Sequence, residues 1–215
     1  PKRAILPYFL QVKQNNDELW QSWNVTPELE ERFIRSVRMK PRRTASGVAT
    51  ITVITRPHTC SSNCIYCPCD LRMPKSYLAN EPACQRAELT FFDPYVQVAA
   101  RLQALHQMGH STDKVELIVL GGTWSDYPES YQYWFIKELF RALNEWPNSP
   151  NHIQERLNWY TSFGLQNSEK ALSSFVAEQQ AAVFDDNTTY NQAFHKLYDT
   201  SHPHQSAWSQ MQSTY

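Results

Sequence analysis

The sequence predicts an α/β fold: a helical N-terminal segment, then two parallel strands each followed by a helix, then a mostly helical C-terminal segment. Two β-branched apolar runs of strand length predict the sheet, at 47–55 (GVATITVIT) and 115–120 (VELIVL). Both are nearly continuous rather than alternating, the pattern of strands buried on both faces of a parallel sheet. Helical periodicity fills the intervals, and the order strand–helix–strand–helix implies a right-handed parallel unit. Two strands cannot cover both faces and both edges of a sheet. The remaining strands are therefore expected from beyond residue 215, and the chain is expected to be the front portion of a larger protein.

Each element has its own signal. Ile5, Phe9 and Val12 recur at helical spacing, and so do Leu29, Phe33, Ile34 and Val37 after Pro27, with Thr26 as N-cap. Pro41 ends that pattern. Arg56-Pro57 ends the first strand, and a cysteine-rich loop follows at once. Residues 68–92 hold three prolines and few apolar repeats, which predicts a long ordered loop. After Asp93-Pro94, Val96, Ala99, Ala100, Leu102 and Leu105 form a helical stripe closed by Gly109. The second strand runs directly into Gly121-Gly122-Thr123. Pro128 and Glu129 open a helix whose inner face is Trp134, Phe135, Leu139, Phe140 and Leu143. Beyond Pro147 the chain turns polar, with three weaker helical patterns at 151–162, 168–182 and 187–198, a break at Gly164, and a tail without periodicity. Three regions result: a basic helical segment at 1–46, the strand–helix units at 47–146, and a helical segment of unassigned role at 147–215.

The 215 residues are 41% apolar and 19% charged, a balance that suits a folded globular protein rather than a disordered one. No run approaches the ~20 apolar residues of a membrane span, and no secretory leader is visible. A cytoplasmic protein without membrane segments is expected. The net charge of −1 conceals an asymmetry: residues 1–67 carry ten Lys/Arg against five Asp/Glu, and the remainder ten against sixteen. Arg32, Arg35, Arg38, Lys40, Arg42 and Arg43 concentrate the excess, as a phosphate-binding surface or an ordinary solvated helix end would.

All five cysteines lie in the first 84 residues, and Cys60, Cys64, Cys67 and Cys69 lie within ten. An odd count argues against a disulfide framework. Cys60, Cys64 and Cys67 have the spacing C-x3-C-x2-C on a loop after a buried strand. Three thiolates on one tight loop can hold three irons of a four-iron, four-sulfur cubane and leave the fourth open to bind a small molecule. The other reading is a structural zinc site using four of His58, Cys60, Cys64, Cys67 and Cys69. Structural zinc sites usually pair two short hooks, whereas here one hook stands at the C-terminal end of a strand, where α/β folds bind ligands. Cys69 and Cys84 are assigned no ligand role, and His58 is expected to be a structural hydrogen-bonding histidine.

With Tyr66 before the last cysteine and Gly121-Gly122 after the second strand, these residues resemble the radical S-adenosylmethionine (SAM) superfamily. The blocks KPRRTASGVATITVITRPHTC (40–60), MPKSYLANEPACQRAE (73–88), FDPYVQV (92–98) and GHSTDKVELIVLGGTW (109–124) narrow the likeness to the Elongator protein 3 family. The resemblance implies a partial radical-SAM (βα) barrel, a 4Fe-4S cluster on Cys60, Cys64 and Cys67, and SAM contacts from Tyr66, Gly121, Gly122 and Thr123. Glu is common in the superfamily where Thr123 stands. It implies carboxymethylation of the tRNA wobble uridine at C5, with acetyl-CoA as second substrate. Lys114 matches a lysine associated with acetyl-CoA, and its other role is that of a strand-leading surface lysine. Lys75 and Tyr77 are the catalytic candidates lining the substrate pocket, while Arg35, Arg38, Lys40, Arg42 and Arg43 face tRNA phosphates.

None of the five glycines stands in the Gln/Arg-x-x-Gly-x-Gly/Ala pattern of acetyltransferase domains, so that half of the enzyme is expected outside this chain. The isolated chain would then lack part of the SAM and acetyl-CoA walls. The implied partners are tRNA, acetyl-CoA, the acetyltransferase-like domain, and either further copies or an Elongator-like complex. Two alternatives stay open: a radical-SAM enzyme with a different substrate, and an inactive tRNA- or partner-binding module with a structural metal site.

Overall fold

The computed structural model describes every residue except 1, 17, 63, 186–188, 199–201 and 215. It divides into two compact units, one formed by Pro1–Ile51 with Ala100–Leu117 and the other by Thr52–Ala99 with Ile118–Tyr215.

The first unit opens with α1 (Lys2–Asn15), α2 (Glu18–Ser22) and α3 (Pro27–Val37). Thr26 caps α3 as predicted, its hydroxyl accepting from the Leu29 amide at 3.3 Å. Leu6, Phe9 and Val12 are buried, and the Phe9 ring lies 4.6 Å from Phe33 and 5.4 Å from Trp20. Beside them Ile5, Tyr8, Trp23 and Leu29 border an open apolar recess of about 740 Å³. The end of α5 (Pro94–Gln107) is sealed in this unit. Arg38 donates from Nε to the Gly109 carbonyl at 2.7 Å, and the Met39 amide donates to that of Met108 at 3.0 Å. Gly109 has φ +83°, and a Cβ there would sit 2.9 Å from Leu6 Cδ2, so both backbone and space require glycine.

Strands β1 (Ala49–Ile54) and β2 (Val115–Leu120) pair in parallel. The Ala49 amide donates to the Lys114 carbonyl at 2.8 Å and the Thr55 amide to the Leu120 carbonyl at 2.9 Å, both strands advancing in the same direction. Ala49, Ile51, Val53 and Ile54 are wholly buried, as a nearly continuous apolar run predicts. At Ile54 the far edge of β1 is satisfied by Gln97 of α5, whose carboxamide accepts from the Ile54 amide and donates to the Ile54 carbonyl, each at 2.9 Å. Strand β2 is the correction. None of its residues is buried, three are half-buried and three exposed, and Ile118 and Val119 are both 37% exposed. Among the described residues only β1 pairs with it. The apolar side chains of β2 stay partly in contact with solvent.

The second unit also holds α4 (Pro82–Leu89), within the stretch predicted to be loop. Pro82 occupies a first-turn position, where proline is tolerated, and the helix buries Cys84, Ala87 and Glu88. Helix α6 (Glu129–Asn144) buries Trp134, Phe135 and Leu139 as predicted, but Phe140 is 55% exposed. Helices α7 (Ile153–Ser162), α8 (Glu169–Phe184) and α9 (Tyr190–Leu197) match the three weaker patterns. The span 187–198 begins at residues outside the described ones. Helix α10 (Pro203–Thr214) forms where no periodicity was visible, burying Ala207, Trp208 and Met211.

This polar C-terminal region is fastened from within. Arg156 of α7, 2% exposed, donates to Glu138 of α6 at 2.7 Å and to Asp93 at 3.2 Å, and the Tyr160 hydroxyl donates to Asp93 at 2.9 Å. A buried guanidinium with two carboxylates and a phenol nearby is an intact network, and removing one member would strand the others. The α/β class therefore holds, with a two-stranded parallel sheet and a larger helical share than the strands alone suggested.

Candidate active site at the strand ends

The C-terminal ends of β1 and β2 meet at Gly121. A Cβ there would lie 2.0 Å from Thr55 Oγ1, so only glycine lets the two strand ends approach this closely. The Thr55 hydroxyl lies 2.7 Å from that of Tyr127, which donates onward to the Arg56 carbonyl at 2.8 Å. Gly122 faces the backbone of Lys75, the nearest atom 3.9 Å from where a Cβ would stand. An open cavity of about 400 Å³ results, bordered by both glycines, Thr55, Tyr77, Trp124 and Ile136. Burial pushes the Tyr77 phenol up, and a hydrogen bond to the Gly121 backbone partly offsets this.

The cysteine loop lies beside this cavity. Cys60 is buried, its Sγ 3.3 Å from Thr123 Oγ1; Cys64 and Cys67 are half-buried, and Cys67 Sγ lies 2.9 Å from Ser76 Oγ. All five thiols are free. Burial pushes the Cys60 thiol up, but hydrogen bonds from Thr123 and the adjacent backbone hold it below the ordinary value. Lys75, 6% exposed, donates from Nζ to the Ser62 carbonyl at 2.8 Å and ties the loop to the segment carrying Tyr77. The Ser61 amide donates to Asp126 Oδ2 at 2.6 Å, which holds the Asp126 carboxyl down.

As a donor set the loop fits a cluster: three soft, free thiols within eight residues at the ligand-binding end of a strand. In the metal-free chain the three thiols are not drawn together. Among the described residues no three His, Cys, Asp or Glu side chains are gathered to hold a metal ion. Each of two thiols instead engages a hydroxyl, and a metal would have to draw them together.

The other expected residues fall in different places. Lys75, Tyr77, Gly121, Gly122 and Thr123 come together around the cavity and loop. Tyr66 does not border the cavity; it is 84% exposed at the loop tip, beside fully exposed Ile65. Lys114 is exposed and precedes β2, at the strand end opposite Gly121. In the first unit Lys40, Arg42 and Arg43 are exposed, the last two on the short 3-10 helix Pro41–Thr44. Arg35 pairs with Glu31 at 2.6 Å and Arg38 is half-buried against Gly109, so both are partly engaged. His58 is the structural histidine expected. Its Nε2 lies 3.0 Å from the Asp126 carbonyl, and burial followed by the Arg56 charge pushes the imidazole down.

Four contributors escaped the sequence reading, all from 147–215. Asn191 and Gln180 bond to the backbone at the two ends of the cysteine loop. Gln205 accepts from Arg56 at 3.3 Å, and Trp208 faces the Arg56 guanidinium at 4.8 Å while Tyr131 covers its other contact at 5.0 Å. The only sequence signal was an abundance of Asn and Gln beyond residue 147, which composition alone assigns to solvent.

No protein-family model matches the chain. Among curated proteins it is 41% identical over 139 residues to the tRNA uridine(34) acetyltransferase of Methanocaldococcus infernus, covering 62% of this chain and 26% of that protein. It is 48% identical over 105 residues to the protein of the same name from Dehalococcoides mccartyi, covering 49% and 23%. It is 38% identical over 146 residues to Elongator complex protein 3 of Bos taurus, covering 63% and 26%. The chain is thus homologous to these proteins over about 49–63% of its length, and it spans about a quarter of theirs.

Proposed function

We propose that this chain carries the cluster loop and the SAM-facing strand ends of a radical-SAM enzyme that modifies the wobble uridine of tRNA. The observation that supports it is a C-x3-C-x2-C loop beside Gly121 and Gly122 at the ends of parallel strands, with Cys60 Sγ 3.3 Å from Thr123 Oγ1. The names of the homologues point the same way, since they describe tRNA uridine(34) acetyltransferases and Elongator subunits.

In this reading Cys60, Cys64 and Cys67 hold a 4Fe-4S cluster. When bound, the cluster and SAM together supply radical chemistry, a means of activating an unreactive C–H bond. The chain's own residues prepare the site. Gly121 brings the β2 end against Thr55, and Gly122 leaves the adjoining backbone bare for a polar ligand group. Lys75 holds the loop through the Ser62 carbonyl, and Tyr77, Trp124 and Ile136 border the open cavity. Tyr66 at the exposed tip is free to close on a bound cofactor. Lys40, Arg42 and Arg43, with Arg35 and Arg38, face tRNA phosphates, so affinity falls steeply with salt. Lys114 serves acetyl-CoA, the second substrate, at a surface completed by the acetyltransferase-like domain. The uncovered β2 supports a barrel whose further strands lie outside these residues. No described helix is long and apolar enough to cross a membrane, and a cytoplasmic setting suits tRNA as substrate.

Anaerobic reconstitution with iron and sulfide tests the reading. The expected result is about four irons per chain and a reduced paramagnetic signal that changes when SAM is added. Tight binding of zinc, with no response to SAM, would overturn it in favour of a structural metal site.

A further inference from the structure

We propose that Gln180 and Asn191 are positioning residues that clamp the two ends of the cysteine loop and so set how tightly its thiols capture a metal. This rests on reading the loop as metal-binding. Asn191 of α9 accepts from the Cys60 amide at 3.0 Å and donates to the Cys60 carbonyl at 2.8 Å. Gln180 of α8 accepts from the Leu71 amide at 2.8 Å and donates to the Cys69 carbonyl at 2.7 Å. A carboxamide presents a donor and an acceptor in one rigid plane, as a neighbouring strand would, so two bonds fix both position and orientation. Gln97 treats the edge of β1 the same way.

The two clamps bracket the thiol sequence. One grips Cys60 itself, and the other closes just past Cys67. The hydroxyls of Tyr190 and Tyr198 reinforce the second end, donating to the Met73 and Leu71 carbonyls at 2.8 and 3.2 Å. Between the clamps the tip stands in solvent, with Ile65 fully exposed. Helices α8 and α9 pack on each other, so both grips come from one support. A loop pinned at both ends loses less conformational freedom when a metal gathers its thiols, and the entropy left to lose is what lowers affinity. Outer groups that orient metal ligands typically contribute about 10- to 100-fold in affinity.

The test uses the whole chain with Asn191→Leu and Gln180→Met, near-isosteric changes that delete the paired bonds. Anaerobic titration with Co2+, read by thiolate charge-transfer absorbance, should show binding about tenfold weaker in each variant. In metal-free protein, alkylation of Cys60 should quicken about tenfold in Asn191→Leu, while Cys84, buried on α4, reacts at the wild-type rate. Unchanged Co2+ affinity with unchanged Cys60 alkylation overturns the proposal. So does equal quickening at Cys60 and Cys84, which marks general loosening rather than a local clamp. Should Asn191→Leu fail to fold, Asn191→Asp keeps the acceptor for the Cys60 amide, removes the donor, and is held to the same two outcomes. A wild-type chain that binds no Co2+ overturns the metal reading, and Cys60 alkylation then still decides whether the clamp exists.

Discussion

Strands β1 and β2 are the same length and both rich in apolar residues, yet one is core and the other is half-exposed. In β1 Ala49, Ile51, Val53 and Ile54 are wholly buried, and a glutamine side chain bonds both backbone groups of Ile54 on its outer edge. In β2 Ile118 and Val119 keep 37% of their surface in contact with solvent, and beyond them Ile136 and Phe140 of α6 are 38% and 55% exposed. The contrast teaches that an apolar run does not by itself say how far a strand is buried. Burial is a property of neighbours.

The seam where the two strands end gives the largest expected effect. Gly121→Ala places a methyl 2.0 Å from Thr55 Oγ1, and forcing that contact should cost about 3 kcal/mol in urea denaturation. Adding Thr55→Ala should recover part of it; no recovery would mean that the backbone at Gly121, not the Thr55 side chain, sets the limit. Charge sharpens the contrast next. Glu88 of α4 is 6% exposed, and burial pushes its carboxyl up to about 7, with Arg72 partly opposing. The folded state holds this proton more tightly than the unfolded chain, so the carboxyl's contribution is complete below about pH 4.5 and is lost as pH rises through about 7. Glu88→Gln should therefore stabilise by about 3 kcal/mol at pH 8 and by almost nothing at pH 4.5. A gain independent of pH would show that Glu88 is not held protonated. The smallest effects come from one substitution made twice. Val53→Ala should cost about 2 kcal/mol and Val119→Ala less than about 0.5. Equal costs, measured by the same denaturation midpoints, would erase the difference between the strands.

Local patterns were legible wherever the governing interaction is local. The Thr26 cap, the stripe from Val96 to Leu105 and, on α6, the burial of Trp134, Phe135 and Leu139 follow from spacing along one helix, whereas Phe140 does not. Helix α4 was missed because Pro82 read as a breaker, although proline at a first turn is also a helix start. Helix α10 was missed because Ala207, Trp208 and Met211 are too few to print a period among Ser and Gln. The site divides along the same line. The cysteine spacing and the glycine pair are short-range patterns, and the structure brings the latter together with Lys75 and Tyr77. Asn191 reaches Cys60 across 131 residues and Gln180 reaches Cys69 across 111, so no window of sequence contains either pairing.

Those separations also impose an order in time. Domains form as the chain is made, at about 5–20 residues per second. Asn191 follows Cys60 by 131 positions, so it is synthesised roughly 7–26 s later. During that interval the cysteines have been made while the helices that hold their loop do not yet exist. The loop is open to its surroundings first and fastened second, and α8 and α9 close on whatever state the cysteines have reached by then.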